Sequence, residues 1–284
     1  MLRRMDVEKI VDSLALSEEY KEIQRIQTEH RLKLAQFWGI EKGNKVLEIG
    51  CGQGDTTAVL SYLVGESGYV YGIDKASADY GGPLTLGEAI GILQKSSLGK
   101  PIQVEFDYDI LANDVHFPEN MFDCIVFSHC SWYLSSQQEL VNLFKKVGSW
   151  GKKLCFAEWN PELLTLEQYP HLLAVLIQAQ TEVFKEKSTA NVRTVFTQEN
   201  IQNAIIQSGW SLDKETVISS PLLQDGGWEV SQVLNDADEG LNLIKEMPDK
   251  MKQVLLMQIS LLKKVKKEQT VKPLSTYAFT ARSI

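Results

Sequence analysis

The residues best placed to do chemistry lie in one short run, residues 46–57 (VLEIGCGQGDTT), where an apolar strand meets alternating glycines and a helix start. Glycine is needed where the backbone takes positive φ, or where a ligand lies against the main chain without a Cβ in the way. Gly50, Gly52 and Gly54 provide three such positions. We therefore predict a ligand-binding turn, with Asp55 and Thr56 capping the following helix.

The spacing of the glycines restricts the ligand. A dinucleotide turn reads G-x-G-x-x-G and holds a pyrophosphate on bare amides at a helix N-terminus. Counted from Gly50 or from Gly52, the third glycine position falls on Asp55 or Thr57, so both registers fail. Carboxylates at Glu48 and Asp55 flank the turn, and they would repel a pyrophosphate but suit a cationic ligand.

Strands and helices must alternate to position this turn. Short apolar runs predict strands over 46–49, 69–73, 102–106, 122–127 and 153–159, with helices over 56–64, 84–93 and 137–147. This alternation favours a doubly wound parallel sheet. The later pattern predicts helices over 161–187, 198–208 and 230–267, the last split at Pro248, and strands over 211–219 and 275–281.

The pattern Glu48-x-Gly50-x-Gly52-x-Gly54, followed after twenty residues by Asp74, resembles the first two motifs of class I S-adenosylmethionine (SAM) dependent methyltransferases, of the small-molecule type. SAM carries an ammonium and a sulfonium and no phosphate, in agreement with the charge argument. The resemblance spans roughly residues 40–220 and the last strand. It implies an α/β fold with a Rossmann-like doubly wound sheet, mostly parallel with an antiparallel last strand. The length and the helical patterns add the prediction of a single domain over residues 1–284, with helical cap insertions at 1–39, 160–196 and 225–268.

Ligands of open α/β sheets bind beyond the carboxyl ends of the strands. The resemblance implies that Glu48 and the glycines line the methionine part of SAM and that Asp74 accepts both ribose hydroxyls. Asp109 and Ile110 would meet the adenine, with Asp107 as an alternative to Asp109. Cys51 is interpreted as a small filler rather than a nucleophile. The predicted cofactor-binding residues are Glu48, Gly50, Cys51, Gly52, Gly54, Asp74, Lys75, Asp109, Ile110 and Ser128. A tight turn without a ligand, and a turn-forming Asp74, stay open as alternatives.

The segment Ser128–Tyr133 follows the fourth strand, where the family places residues that face methionine and the acceptor. Methyl transfer is an in-line displacement, so orientation of the acceptor dominates, and a base helps only when the acceptor must lose a proton. His129 and Tyr133 are the candidate catalytic residues. His129 could instead hydrogen-bond to the loop backbone or orient SAM. Trp132 and Tyr133 could wall a pocket or pack against a helix, and Glu158 and Trp159 could meet the acceptor or a nearby basic residue.

Composition limits the partners and the location. The chain has 284 residues and a formal net charge of -8, with an isoelectric point near 5.2, which argues against nucleic acid and anionic membranes as partners. Four cysteines without a C-x-x-C pair suggest free thiols in the cytoplasm. We expect no secretion signal, no membrane span and no metal, since the four histidines lack ligand spacing. A basic end at 263–267 follows an apolar helical stripe and is interpreted as the solvated end of a packed helix.

The sequence therefore predicts a SAM-dependent methyltransferase that acts on a small or medium-sized organic molecule, as a monomer or homodimer. Methylation of a protein or RNA is the alternative within enzymes. A regulatory protein that binds SAM without turnover, and an NAD(P) dehydrogenase, are the alternatives from other classes.

Overall fold

One seven-stranded sheet carries the fold in the computed structural model, which describes residues 4–14, 18–185, 190–244 and 246–283. The order across the sheet is β3-β2-β1-β4-β5-β7-β6. Neighbouring strands from β1 to β5 pair in parallel, and β7 is antiparallel to both β5 and β6. The predicted fold class is therefore confirmed. The strands are β1 Lys45–Ile49, β2 Tyr69–Ile73, β3 Ile102–Glu105, β4 Cys124–Ser128, β5 Lys153–Asn160, β6 Trp210–Ile218 and β7 Ser275–Ser283.

The strand order reverses between β1 and β4, which places a crevice at their carboxyl ends. Ile49, the last residue of β1, pairs with Ile73 of β2 on one side and with Phe127 of β4 on the other. Ser128 of β4 pairs in turn with Ala157 of β5. The segments that follow these four strand ends therefore meet at a single edge of the sheet.

Helices pack on both faces of the sheet, and several begin at a side-chain cap. Ser136 accepts a hydrogen bond from the amide of Glu139, and Thr85 and Glu88 form a reciprocal capping box. The helices are α1 Arg4–Val11, α2 Lys21–Trp38, α3 Asp55–Val64, α4 Leu86–Lys95, α5 Gln137–Val147, α6 Tyr169–Glu182, α7 Gln198–Gln207, α8 Asp225–Leu243 and α9 Asp249–Glu268. In the described ranges, none of them combines the length and apolarity needed to cross a bilayer.

Three apolar clusters hold these layers together. The first surrounds Phe127 and Phe144 on one face of the sheet, and the second contains Val46 and Leu60 on the other. The third joins α6, α8 and α9 through buried residues such as Leu255. Helices α6, α8 and α9 of the second and third predicted additions therefore share a core of their own, whereas α1 and α2 of the first pack in the second cluster against the sheet. Residues 1–3, 15–17, 186–189 and 245, which belong to these predicted additions, lie outside the described residues.

Two predicted helices have wrong boundaries. The helix predicted over 161–187 begins only at Tyr169, after an irregular segment at 161–165 and a short 3-10 turn at Leu166–Gln168, and it ends at Glu182. The helix predicted from residue 230 begins at Asp225, five residues early, because the two glycines at 226 and 227 are tolerated in its first turn. Pro248 does separate α8 from α9, as predicted.

Candidate functional site

The glycine turn after β1 has the backbone conformation that its sequence predicts. Gly50, Gly52 and Gly54 have φ values of 74°, 53° and 89°. A Cβ at Gly52 would meet no protein atom within 4 Å, whereas one at Gly50 would lie 2.8 Å from the Cβ of Cys130. The amide of Gly52 donates to Oδ2 of Asp74 at 2.8 Å. The turn thus presents an open, Cβ-free face beside the carboxylate that ends β2.

The prediction that Asp55 and Thr56 cap the next helix is wrong. Gly54 occupies the N-cap position of α3 in a left-handed conformation, without a side-chain cap, and this places Asp55 inside the first turn. The Asp55 carboxylate instead accepts from Nε2 of Gln24 at 2.9 Å and pairs with Arg31 at 3.3 Å. Because Arg31 offsets its charge, Asp55 does not supply the repulsion that we expected toward an anionic ligand.

Glu48 is also less acidic than the sequence argument assumed. Its side chain is buried, and Oε2 accepts from the Thr57 hydroxyl at 2.6 Å. Burial raises the pKa of Glu48 to about 8, against a smaller lowering by the Thr57 hydrogen bond. The group is therefore largely neutral at pH 7. The charge argument for a cationic ligand thus fails at both carboxylates, and the case for SAM rests on the glycine spacing and on Asp74.

The raised pKa of Glu48 predicts a pH-dependent stability. The unfolded chain ionises Glu48 near pH 4.5 and the folded chain only near pH 8. The protonated Glu48 contributes to the free energy of unfolding, on the order of several kcal/mol, and this contribution is fully present below pH 4.5. It is lost as the pH rises to 8. We expect Glu48→Gln to flatten the decline in free energy of unfolding between pH 5 and pH 8, measured by urea denaturation. Parallel pH profiles for the two proteins would contradict the assignment.

Asp74, which follows β2, and the residues that follow β3 lie next to the glycine turn at the carboxyl ends of the strands. Oδ1 of Asp74 accepts from the amide of Ala76 at 2.9 Å. Lys75 lies 3.0 Å from Asp109, whose Oδ1 also accepts from the amide of Leu111 at 3.1 Å. Burial opposes the effect of these partners, which nevertheless hold the pKa of Asp109 below its usual range. The structure thus brings together the predicted Asp74, Lys75 and Asp109.

The two other residues considered for the adenine differ in exposure. Ile110 is buried at 5% exposure, and its side chain belongs to the core cluster under this edge. Asp107, the alternative to Asp109, is exposed and adopts a positive φ of 54°. Its amide donates to the carbonyl of Ala76 at 3.0 Å. This contact ties the segment after β3 to the segment after β2.

Cys51 and Ser128 lie at the carboxyl ends of the strands with their polar side-chain atoms buried. Cys51 is buried against Gly72, where an added Cβ would lie 3.1 Å from the Cβ of Cys51. Burial raises the pKa of the Cys51 thiol, which supports the filler interpretation. The buried hydroxyl of Ser128 has no hydrogen-bond partner among the described residues. The open face of Gly52, the Asp74 carboxylate and this unpaired hydroxyl fit a ligand such as SAM.

His129 follows β4 in a left-handed conformation, with φ of 51°. Its Nε2 lies 3.2 Å from Nε2 of His30. Its Nδ1 lies 3.4 Å from Oε1 of Glu158 without hydrogen-bond alignment, and its amide donates to Ala157 at 2.8 Å. Both ring nitrogens therefore face protein groups. This arrangement favours the alternative of a hydrogen-bonded, orienting histidine over a base that is ready to react.

Glu158 anchors the loop after β4. Its carboxylate, 1% exposed, accepts from the amide and hydroxyl of Ser131 at 2.9 and 2.8 Å and from the amide of Trp132 at 3.3 Å. Its Oε1 also accepts from the amide of Trp159 at 2.9 Å. Oε2 of Glu158 is thus engaged by the loop after β4 and Oε1 by the next residue of β5, which favours an anchoring role over contact with the acceptor. The nearby basic residue that was the other possibility is His129.

Of the two aromatic residues in the loop after β4, one is buried and the other is exposed. Trp132 is 3% exposed and packs in the core, whereas Tyr133 is 42% exposed. Burial raises the pKa of the Tyr133 hydroxyl, with further raising by Glu158, Glu229 and Tyr80. The packing interpretation thus holds for Trp132, whereas a pocket wall at Tyr133 stays a prediction.

The sequence interpretation missed a set of polar residues on α2 and α8. Nε2 of Gln27 donates to Oδ2 of Asp225 at 2.8 Å, and Nη1 of Arg31 donates to Oε1 of Gln27 at 2.6 Å. Together with the Arg31–Asp55 pair, this links the cap to the start of α3. The available signal was that Gln27 and His30 lie at helical spacing from the buried Leu34 and Trp38, which places polar groups on the inward face of α2.

Comparisons with known proteins agree with this geometry. The family model of protein-L-isoaspartate(D-aspartate) O-methyltransferase matches residues 18–78. The crystal structure of a cyclopropane-fatty-acyl-phospholipid synthase-like protein from Lactobacillus casei is 32% identical, covers 99% of this chain and 100% of its own, and superposes with a TM-score of 0.87.

Curated relatives are more distant. Methyltransferase phomM' of Diaporthe leptostromiformis is 26% identical over 230 residues, which are 68% of this chain and 59% of that protein. The ubiquinone/menaquinone biosynthesis C-methyltransferase UbiE of Vibrio cholerae is 28% identical over 126 residues, 44% of this chain and 45% of the relative. The chain thus spans less than two thirds of the length of either protein. With the glycine turn, the sheet order and these similarities together, the chain belongs to the class I SAM-dependent methyltransferase family.

Proposed function

We propose that this protein transfers the methyl group of SAM to a small or medium-sized organic molecule by in-line displacement. The observation that carries the proposal is the left-handed Gly52, whose Cβ position faces open space beside the Asp74 carboxylate. Relatives that are named as small-molecule methyltransferases support it. SAM is the cofactor of the family, and when bound it supplies an electrophilic methyl group.

The residues of this chain would act mainly by orientation. Asp74 would accept hydrogen bonds from the ribose hydroxyls, while Lys75 and Asp109, 3.0 Å apart, would border the adenine. Correct orientation of two reactants can lower a barrier by roughly 7–11 kcal/mol. Tyr133 would wall the acceptor pocket. Nε2 of His129 lies 3.2 Å from Nε2 of His30, so it can take a proton only if His30 carries no hydrogen on its own Nε2.

The other predicted properties belong to the same proposal. We treat residues 1–284 as one methyltransferase domain with a helical cap, acting in the cytoplasm as a monomer or homodimer. The free cysteines of the described residues agree with a reducing compartment. The net charge of -8 opposes an RNA substrate. A protein acceptor, and regulation by SAM binding without turnover, are outcomes that the experiment below distinguishes.

We expect S-adenosylhomocysteine to bind in calorimetric titration and NADH not to bind, because the glycine turn lacks the dinucleotide spacing. Incubation with SAM labelled in the methyl group, together with a set of small organic acceptors, should then yield labelled small-molecule product. Label in protein or RNA would favour the alternative substrates. Binding without transfer to any acceptor would favour the regulatory alternative, and NADH binding alone would overturn the proposal.

A further inference from the structure

His30 of α2 is buried where the cap meets the carboxyl edge of the sheet. Its side chain is 2% exposed, and its ring is parallel to that of Trp159 at a centroid distance of 6.1 Å. Its Nδ1 lies 3.0 Å from Oγ of Ser220. Its Nε2 lies 3.2 Å from Nε2 of His129 and 3.3 Å from Oγ1 of Thr276. Every polar atom of this ring therefore has a partner inside the protein.

The partners determine where the hydrogens lie. A hydrogen bond between two Nε2 atoms needs one N–H and one lone pair, so the two rings cannot share the same protonation at Nε2. The carboxylate of Glu158 lies 3.4 Å from Nδ1 of His129; the pair is not aligned as a hydrogen bond, but the negative charge favours the hydrogen on that atom. Nε2 of His129 then carries the lone pair and accepts from Nε2 of His30, and the same His30 hydrogen has Oγ1 of Thr276, at 3.3 Å, as a second acceptor. Nδ1 of His30 in turn accepts from the Ser220 hydroxyl.

We propose that His30 is a positioning residue for His129, which holds the ring and the Nδ1–H tautomer of His129 at the methyl-transfer site by donating from its own Nε2. The inference rests on the proposed function. It assigns a role to a residue of the N-terminal addition, outside the glycine turn and the strand ends. The backbone of His129 has φ of 51°, which is uncommon for residues other than glycine, and the contact with His30 at 3.2 Å fixes where its ring lies.

The surroundings of His30 keep it neutral in this role. Burial lowers the pKa of His30 to about 2, with further lowering by His129, Arg31 and Lys33. His30 therefore stays neutral over the working pH range. If His129 gains a proton at Nε2, His30 must move its own hydrogen to Nδ1 and the Ser220 hydroxyl must turn from donor to acceptor. The tautomers of the two rings are thus coupled.

The test compares three substitutions of His30. His30→Phe removes the donor, and His30→Asn keeps a polar group near Ser220 but is too short to reach His129. His30→Gln can place an N–H near the former Nε2. We expect Phe and Asn to lower kcat for methyl transfer about tenfold or more, with the Kd for S-adenosylhomocysteine unchanged, and Gln to restore most of the rate. Ring ¹⁵N shifts should show a single Nδ1–H tautomer of His129 in the wild type and a mixture in Phe and Asn.

A variant of the same helix controls for lost packing. Leu32 is fully buried in the other core cluster, so Leu32→Ala should lower Tm without altering the ¹⁵N pattern of His129. An unchanged His129 pattern in both His30→Phe and His30→Asn, or the same change in Leu32→Ala, would overturn the inference. Should the wild type fail to bind S-adenosylhomocysteine, the proposed function fails, while the ¹⁵N spectra still decide whether His30 sets the tautomer.

Discussion

Replacing Gly52 with alanine is expected to weaken S-adenosylhomocysteine binding by at least about a hundredfold, with a fall in Tm of only a few degrees. The Cβ would enter space that no protein atom occupies within 4 Å, so the folded protein accommodates it. The φ of 53° adds left-handed strain of about 1–2 kcal/mol, which corresponds to a few degrees in a protein of this size. The same Cβ would occupy the surface against which the cofactor lies.

Gly50→Ala is the matched control for this prediction. Its φ of 74° is similarly unfavourable, but its Cβ would lie 2.8 Å from the Cβ of Cys130. We expect a clearly larger fall in Tm, because the clash with the Cys130 side chain adds to the backbone strain. Calorimetric titration and thermal unfolding of the two variants separate the effects. Normal binding by Gly52→Ala would show that the ligand does not lie on this face.

Asp74→Ala is expected to weaken S-adenosylhomocysteine binding about a hundredfold or more. The carboxylate would accept from two ribose hydroxyls, and each hydrogen bond to a charged group contributes about 1.5–3 kcal/mol. The substitution also removes the acceptor for the amides of Gly52 and Ala76, at 2.8 and 2.9 Å. These amides hold the glycine turn beside β2, so a fall in Tm should accompany the loss of affinity.

Two further variants identify the cause of that loss. Asp74→Asn keeps one acceptor oxygen and should bind with intermediate affinity. Asp107→Ala removes an exposed carboxylate from the same edge, and we expect wild-type binding because Asp109, next to Lys75, is the residue predicted to meet adenine. A loss in Asp107→Ala that equals the loss in Asp74→Ala would indicate a general electrostatic effect and would count against the ribose contact.

Elements governed by local chemistry were predictable from the sequence. The bounds of β2 (Tyr69–Ile73) and α5 (Gln137–Val147) are as predicted, because glycine or a capping serine borders a regular apolar pattern. The glycine turn was predictable for the same reason. The start of helix α6 was not, since the apolar residues at 163, 164 and 166 extend the pattern into an exposed segment that is not α-helical.

Only part of the site was predictable, because the rest depends on contacts between side chains that are far apart in the sequence. The partners of Asp55 are Gln24 and Arg31 of α2, more than twenty positions away. No local sequence pattern predicts these contacts. The acidity of Glu48 was overestimated for a related reason. Its pKa depends on burial beneath other elements, whereas the sequence shows only that a carboxylate is present.

The contact of Thr276 with His30 has a consequence for the order in which the site can be completed. His30 lies in α2 and Thr276 in β7, a strand inserted between β5 and β6, and the two residues are 246 positions apart. During synthesis the glycine turn and β1 to β5 emerge long before β7 can enter the sheet. A nascent chain that stops before residue 275 therefore lacks one wall of the histidine pair. We expect the pair to be among the last parts of the protein to acquire its native geometry.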